Sequence, residues 1–96
     1  MDYFYEDNRI HILDDDLIPL GEVLFPQRDE GRVDITHVFV AEQLRGRGIA
    51  SELMLRAYNY IKDKDMKIIA KCPYAIDWFR KHPQYQDIVI NVKTKR

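Results

Sequence analysis

Val38-Phe39-Val40-Ala41-Glu42-Gln43-Leu44-Arg45-Gly46-Arg47-Gly48-Ile49-Ala50 is the stretch from which the rest of this 96-residue chain can be placed. An apolar run enters it, a turn with two glycines one residue apart and two arginines follows, and a helical pattern leaves it. A strand feeding a glycine-rich turn that opens a helix is a means of holding phosphate. Glycine lets the backbone approach closely, and the free N–H groups of the first helical turn point at the anion. Arg45 and Arg47 add charge-assisted hydrogen bonds. A tight turn with solvated arginines is the plain alternative. The spacing Gln43-x-x-Gly46-x-Gly48 is not the Walker pattern, since no Gly-Lys-Ser/Thr follows, and it lacks the third glycine of a dinucleotide-binding turn.

On the C-terminal side, Ile49, Leu53, Ala57 and Ile61 recur every four residues, flanked by Ala50, Met54 and Tyr60, so residues 48–64 read as a helix with one apolar face. Glu52 and Arg56 form a favourable i,i+4 pair. Lys67 to Cys72 is a short strand, and a right-handed strand-helix-strand crossover lays it parallel to the strand before the turn. Pro73 ends it. Tyr74 to Lys81 is a short helix stopped by Pro83, Tyr85 to Ile90 a terminal strand, and Lys93 to Arg96 a frayed basic tail.

On the N-terminal side, Arg32 to Val40 reads as one strand, with Val33, Ile35, His37 and Phe39 on one face. Pro26 to Gly31 is a polar turn. Leu17 to Phe25 is the preceding strand, Pro19 being tolerated near its start. Asp14-Asp15-Asp16 is a hairpin turn without the ligand spacing of a calcium loop. Arg9 to Leu13 is the first strand of the meander, and residues 1–8 are a loosely fixed lead-in. The expected fold is α+β, over a single domain of residues 1–96. An antiparallel meander is followed by a β-α-β parallel crossover in a mixed sheet, with two helices.

The composition, 46% apolar and 32% charged, is that of an ordinary globular protein, and no apolar run approaches the ~20 residues that span a bilayer. The acidic N-terminus has no signal-peptide architecture. Cys72 is the single cysteine, which excludes an internal disulfide and suggests a reducing, cytoplasmic setting. His11, His37 and His82 are scattered without zinc-ligand spacing, so no metal is expected. Residues 1–42 carry eleven acids against three arginines, and residues 43–96 twelve bases against five acids. The sign changes at the glycine turn, which suits a basic end for a polyanionic ligand beside an acidic end for a cationic one. A pI near 6.3 and the lack of a basic-aromatic module argue against nucleic acid.

The signature Gln43-x-x-Gly46-x-Gly48, the element order, His37 in the strand before the turn, and Cys72-Pro73-Tyr74 after the parallel strand together resemble the compact subgroup of the GNAT superfamily of acetyl-CoA-dependent N-acetyltransferases. The resemblance runs from about Arg9 to Ile90. It implies acetyl-CoA as cosubstrate. Backbone groups of Val38, Phe39 and Val40 would hold its pantetheine arm, and Gln43, Arg45, Gly46, Arg47, Gly48, Ile49 and Ala50 its pyrophosphate. A strand N–H near Val38 would polarise the thioester carbonyl. Full-length members carry one or two helices between their first two strands, which help form the acceptor site. Here only the aspartate turn stands there.

The candidate catalytic residues are His37 and Cys72. Histidine suits a base near neutral pH, with a backbone-bonded core histidine as the alternative. The thiol is either a transient acyl acceptor or a small buried apolar group. Tyr74 and Tyr85 are candidate acids for the leaving thiolate or packing aromatics, and Glu22 a candidate for attracting an amine. The expected activity is acetyl transfer to an unidentified amine. The alternative is a CoA-binding or protein-interaction module with little catalysis. The expected partners are acetyl-CoA and that amine, with no membrane, in a monomer or weak homodimer.

Overall fold

The computed structural model describes residues 1–94 and has an α+β architecture of two sheets and two helices. In chain order these are β1 (Phe4–Glu6), β2 (Arg9–Leu13), β3 (Pro19–Leu24), β4 (Gln27–Asp29), β5 (Arg32–Ile35), β6 (His37–Val40), α1 (Ile49–Asp63), β7 (Lys67–Ala70) and α2 (Pro73–Lys81). One sheet has the order β1-β2-β3-β6 and is antiparallel throughout. The other has the order β4-β5-β7, with β5 and β7 parallel as the crossover requires.

The strand expected over Arg32–Val40 is two strands. At the break the Thr36 amide donates to the Leu24 carbonyl at 3.1 Å, although Leu24 is already the partner of His37. Two residues thus oppose one, and such a bulge kinks a strand and shifts its face. Val33 and Ile35 are buried, whereas beyond Thr36 it is Val38 and Val40 that pack on the core. His37 is therefore on the opposite face from Val33 and Ile35, not in phase with them as the uninterrupted alternation implied.

Three further expectations are corrected. Gln27–Asp29 is a strand, so the connection is only Glu30-Gly31, tied by the Gly31 amide to the Asp29 carboxylate at 3.1 Å. The lead-in is fixed: Phe4–Glu6 pairs with β2, the Arg56 guanidinium lies 3.9 Å from the centre of the Tyr3 ring, and it donates to the Tyr5 hydroxyl at 3.2 Å. The segment Tyr85–Ile90 is not a strand. Pro83–Tyr85 forms a 3₁₀ turn, and a single bridge joins Val89 to Ile68.

What replaces that strand is a side chain. The Asn91 amide accepts from the Ala70 N–H at 2.9 Å and donates to the Ala70 carbonyl at 2.7 Å, so it pairs β7 as a neighbouring peptide would. Asn91→Ala leaves that peptide unpaired. It is expected to cost about 1–3 kcal/mol, seen as a lower urea midpoint at unchanged slope. Of the expected frayed tail, Thr94 is held by Gln86, its amide 2.9 Å from Oε1, while Lys95 and Arg96 lie outside the described residues.

Helix α1 lays Ile49, Leu53, Ala57 and Ile61 inward, the face read from the sequence. It sits close on β3 because Gly21 lies beneath it: a Cβ there would come within 3.4 Å of Leu53 Cδ1 and 3.3 Å of the Phe39 carbonyl oxygen. Among the described residues no helix is long and apolar enough to cross a membrane.

Candidate functional site

The glycine turn is built locally. The Ala41 amide closes the ladder onto the Leu20 carbonyl at 2.7 Å, Glu42–Leu44 makes a 3₁₀ turn, and buried Leu44 anchors it. Gly46 and Gly48 then take φ of 81° and 76°, the left-handed region that side chains rarely enter. Gly48 caps α1, with no side chain to offer, and the first helical bond runs from Glu52 N–H to the Gly48 carbonyl. The amides of Ile49, Ala50 and Ser51 precede that bond and are left for an anion. Apart from the adjoining backbone, no heavy atom of the described residues comes within 4 Å of where a Cβ would stand on either glycine, so the cradle is open.

A groove leads from this cradle along β6. One concavity of about 350 Å³ is lined by Val38, Phe39, Val40, Arg45, Ala50 and Tyr74. A second, of about 230 Å³, shares Val40, Arg45, Ala50 and Tyr74 and adds Gly46, Gly48 and Ile49, so the two are continuous. Antiparallel bonding alternates. Since the Ala41 amide points to β3, those of Val40 and Val38 point to the free edge of β6, and the Val40 carbonyl there accepts from Arg45 Nε at 3.2 Å. The edge is free because β5 and β6 part company at Thr36. The Ile35 carbonyl takes both the Lys71 amide (2.9 Å) and the Cys72 amide (3.1 Å), and past that point β6 follows β3 while α2 begins at Pro73.

Of the residues read from sequence, Val38, Phe39, Val40, Arg45, Gly46, Gly48, Ile49 and Ala50 meet in this groove. Gln43 and Arg47 are exposed and line neither concavity. His37 lies on the face of the four-stranded sheet away from α1. Its ring is parallel to Phe39, with centroids 6.4 Å apart, and its Nε2 is 3.6 Å from Glu22 Oε2. Cys72 is the N-cap residue of α2, half-buried against the core. Neither lines the groove. Phe39 and Tyr74 are their neighbours that do.

Tyr74 gains importance. Burial holds its hydroxyl above the usual tyrosine range; the Asp77 carboxylate acts in the same direction and Lys81 against it. Its position in the first turn after Cys72-Pro73 was the signal in the sequence. Tyr85 instead packs on Tyr58 (4.9 Å between ring centres) and Trp78 (5.5 Å).

Residues 9–88 match the family model described as GCN5-related N-acetyl-transferase. The chain belongs to this family. Protein NATD1 of Danio rerio is 33% identical over 61 residues, which cover 62% of this chain. The match spans 56% of that relative, little more than half its length. A GCN5-like protein of Staphylococcus aureus, solved by NMR, superposes with a TM-score of 0.79 at 26% identity, over 96% of this chain and 90% of that one. A GNAT family N-acetyltransferase of Escherichia coli, YhbS, solved in complex with CoA, shares the fold at a TM-score of 0.57 and 20% identity, covering 65% of this chain and 38% of that one.

As a GNAT chain it is spare between β2 and β3. Asp14 Oδ1 accepts from the Asp16 (2.8 Å) and Ile18 (2.9 Å) amides, Leu17 has φ of 64°, and the side chains of Leu17 and Ile18 are exposed.

Proposed function

We propose that this GNAT chain binds acetyl-CoA along β6 and the head of α1 and transfers its acetyl group directly to an amine. The observation that carries the reading is the continuity of a free strand edge with a glycine-lined helix N-terminus that no side chain caps, flanked by Arg45. Acetyl-CoA supplies the acetyl group as a thioester. The Val38 and Val40 peptides pair with its extended arm. The amides of Ile49 to Ser51, with Arg45, hold the pyrophosphate. The Val38 N–H polarises the carbonyl, His37 takes a proton from the amine, and Tyr74, protonated and in the groove, gives one to the departing thiolate. Cys72 stays outside the route. Intact mass after incubation with acetyl-CoA is expected to show no acetyl adduct dependent on it. The lone cysteine supports a cytoplasmic setting.

Calorimetric titration with acetyl-CoA tests the binding. Thiol release with aliphatic amines, polyamines and lysine peptides tests the transfer. Gly48→Val forces a branched residue into left-handed backbone and crowds the cradle, and is expected to weaken acetyl-CoA by about tenfold or more. Equal affinity in that variant would remove the cradle from the reading. The second reading, a CoA-binding module with little catalysis, is favoured by the Asp14–Ile18 turn, which brings no cover to the acceptor side. Binding without thiol release across the panel would select it.

A further inference from the structure

We propose that the cavity at the C-terminal end of α1 is a second ligand site, and that it takes a free α-amino acid with an apolar side chain. It stands apart from the groove: α1 is 15 residues long and holds the two apart by roughly 22 Å.

The cavity lies where β3 ends and the chain turns through Phe25 and Pro26 into β4. Two bonds fix that passage, from the Phe25 amide to the Asn8 carbonyl at 3.0 Å and from the Asp34 amide to the Pro26 carbonyl at 2.9 Å. The space enclosed is about 200 Å³. A water takes about 30 Å³ of bulk liquid and a drug-sized ligand needs about 300–1,000 Å³, so this space suits a metabolite of about ten non-hydrogen atoms. Its floor is apolar: Phe25, Val33 and Ile61 are all but wholly buried. Tyr60 forms one wall, its ring centre 5.7 Å from that of Phe25 and tilted by 57°.

The rim is charged and unsatisfied. Asp7, in the β1–β2 turn, and Lys64, at the C-cap of α1, are both exposed and line the same opening. Neither makes an ion pair among the described residues. Lys64 Nζ instead stands over the Tyr60 ring, 4.9 Å from its centre. Gln27 gives its Nε2 to the Asp29 carbonyl at 2.9 Å, and its Oε1 has no donor among the described residues.

A carboxylate and an ammonium on one rim, neither neutralised by the other, complement a molecule that carries both charges. The ligand's ammonium faces Asp7 and Gln27 Oε1, its carboxylate faces Lys64, and its side chain lies on Phe25, Val33 and Ile61. A simple cation or a simple anion would meet a like charge at this rim. A hydrocarbon would leave both charges unmatched.

Two-dimensional NMR of isotope-labelled protein tests this, with L-phenylalanine and L-leucine as probes. Saturable shifts are expected at the Val33 and Ile61 methyls, with Kd of about 1 mM or tighter, while the Gly46 and Gly48 amides stay still. Phenethylamine lacks the carboxylate and N-acetyl-L-phenylalanine lacks the ammonium. Each is expected to bind about tenfold more weakly than L-phenylalanine. Asp7→Asn and Lys64→Gln weaken L-phenylalanine by a similar factor, and Lys64→Arg retains it. Failure of both amino acids to bind at about 10 mM overturns the proposal. So does equal affinity for L-phenylalanine and its two truncated analogues, which reduces the cavity to an apolar hole, and so does full affinity in both charge variants. The analogue comparison uses wild type and decides the matter even where a variant fails to fold. Acetyl-CoA takes no part in these measurements, so their failure is distinct from failure of the transfer reading.

Discussion

His37→Gln is expected to lower kcat by a hundredfold or more, while acetyl-CoA affinity stays unchanged. Loss of a positioned general base typically costs about 10²–10⁴ in rate. The split between kcat and affinity follows from placement. The ring is on the sheet face beside Phe39, outside the concavities lined by Arg45, Gly46 and Gly48, so the substitution leaves the anion cradle untouched. Glutamine keeps a polar group of similar reach toward Glu22 and cannot take a proton near neutral pH. Single-turnover mixing with a saturating amine measures the step directly. Unchanged turnover would eliminate His37 as the base.

Phe79→Ala is expected to be the most damaging single truncation for the fold, by about 3–5 kcal/mol out of the 5–15 typical of a domain. Phe79 is wholly buried, edge-on to Trp78 at 5.2 Å between ring centres, and its carbonyl accepts from Gln86 Nε2 at 2.7 Å. It docks α2, whose Trp78 indole N–H donates to Ser51 Oγ at 2.7 Å, at the head of α1. Truncation therefore loosens Tyr74 and the anion cradle together. Urea unfolding should show the loss, and saturating acetyl-CoA should return part of it by linkage. A change below about 1 kcal/mol would mean that α2 is not docked as described.

The parts legible in the sequence are those set by local chemistry. The glycine turn was readable because left-handed backbone asks for glycine at two particular positions, and α1 because its apolar face repeats over four turns. The parallel crossover followed from handedness. The break at Thr36 was not readable, because a bulge is decided by what lies opposite, here Leu24, and nothing in residues 32–40 marks it. Once that phase was missed, His37 went to the wrong face. Tyr85–Ile90 has strand composition, but its pairing falls to one bridge and the Asn91 side chain, a contact between residues 21 apart in sequence. Gln43 and Arg47 are in the signature, and the structure leaves both side chains in solvent.

The five-residue link Asp14–Ile18 projects two bare apolar side chains from a loop closed by the Asp14 carboxylate and by two backbone bonds, at the end of the sheet where Ala41 leaves β6. That makes it a grafting point. A covering segment spliced in there would rise beside the mouth of the anion cradle, since the Leu20 carbonyl just past the link holds the Ala41 amide at 2.7 Å, so its length and charge would change cosubstrate grip and access to the sheet face together.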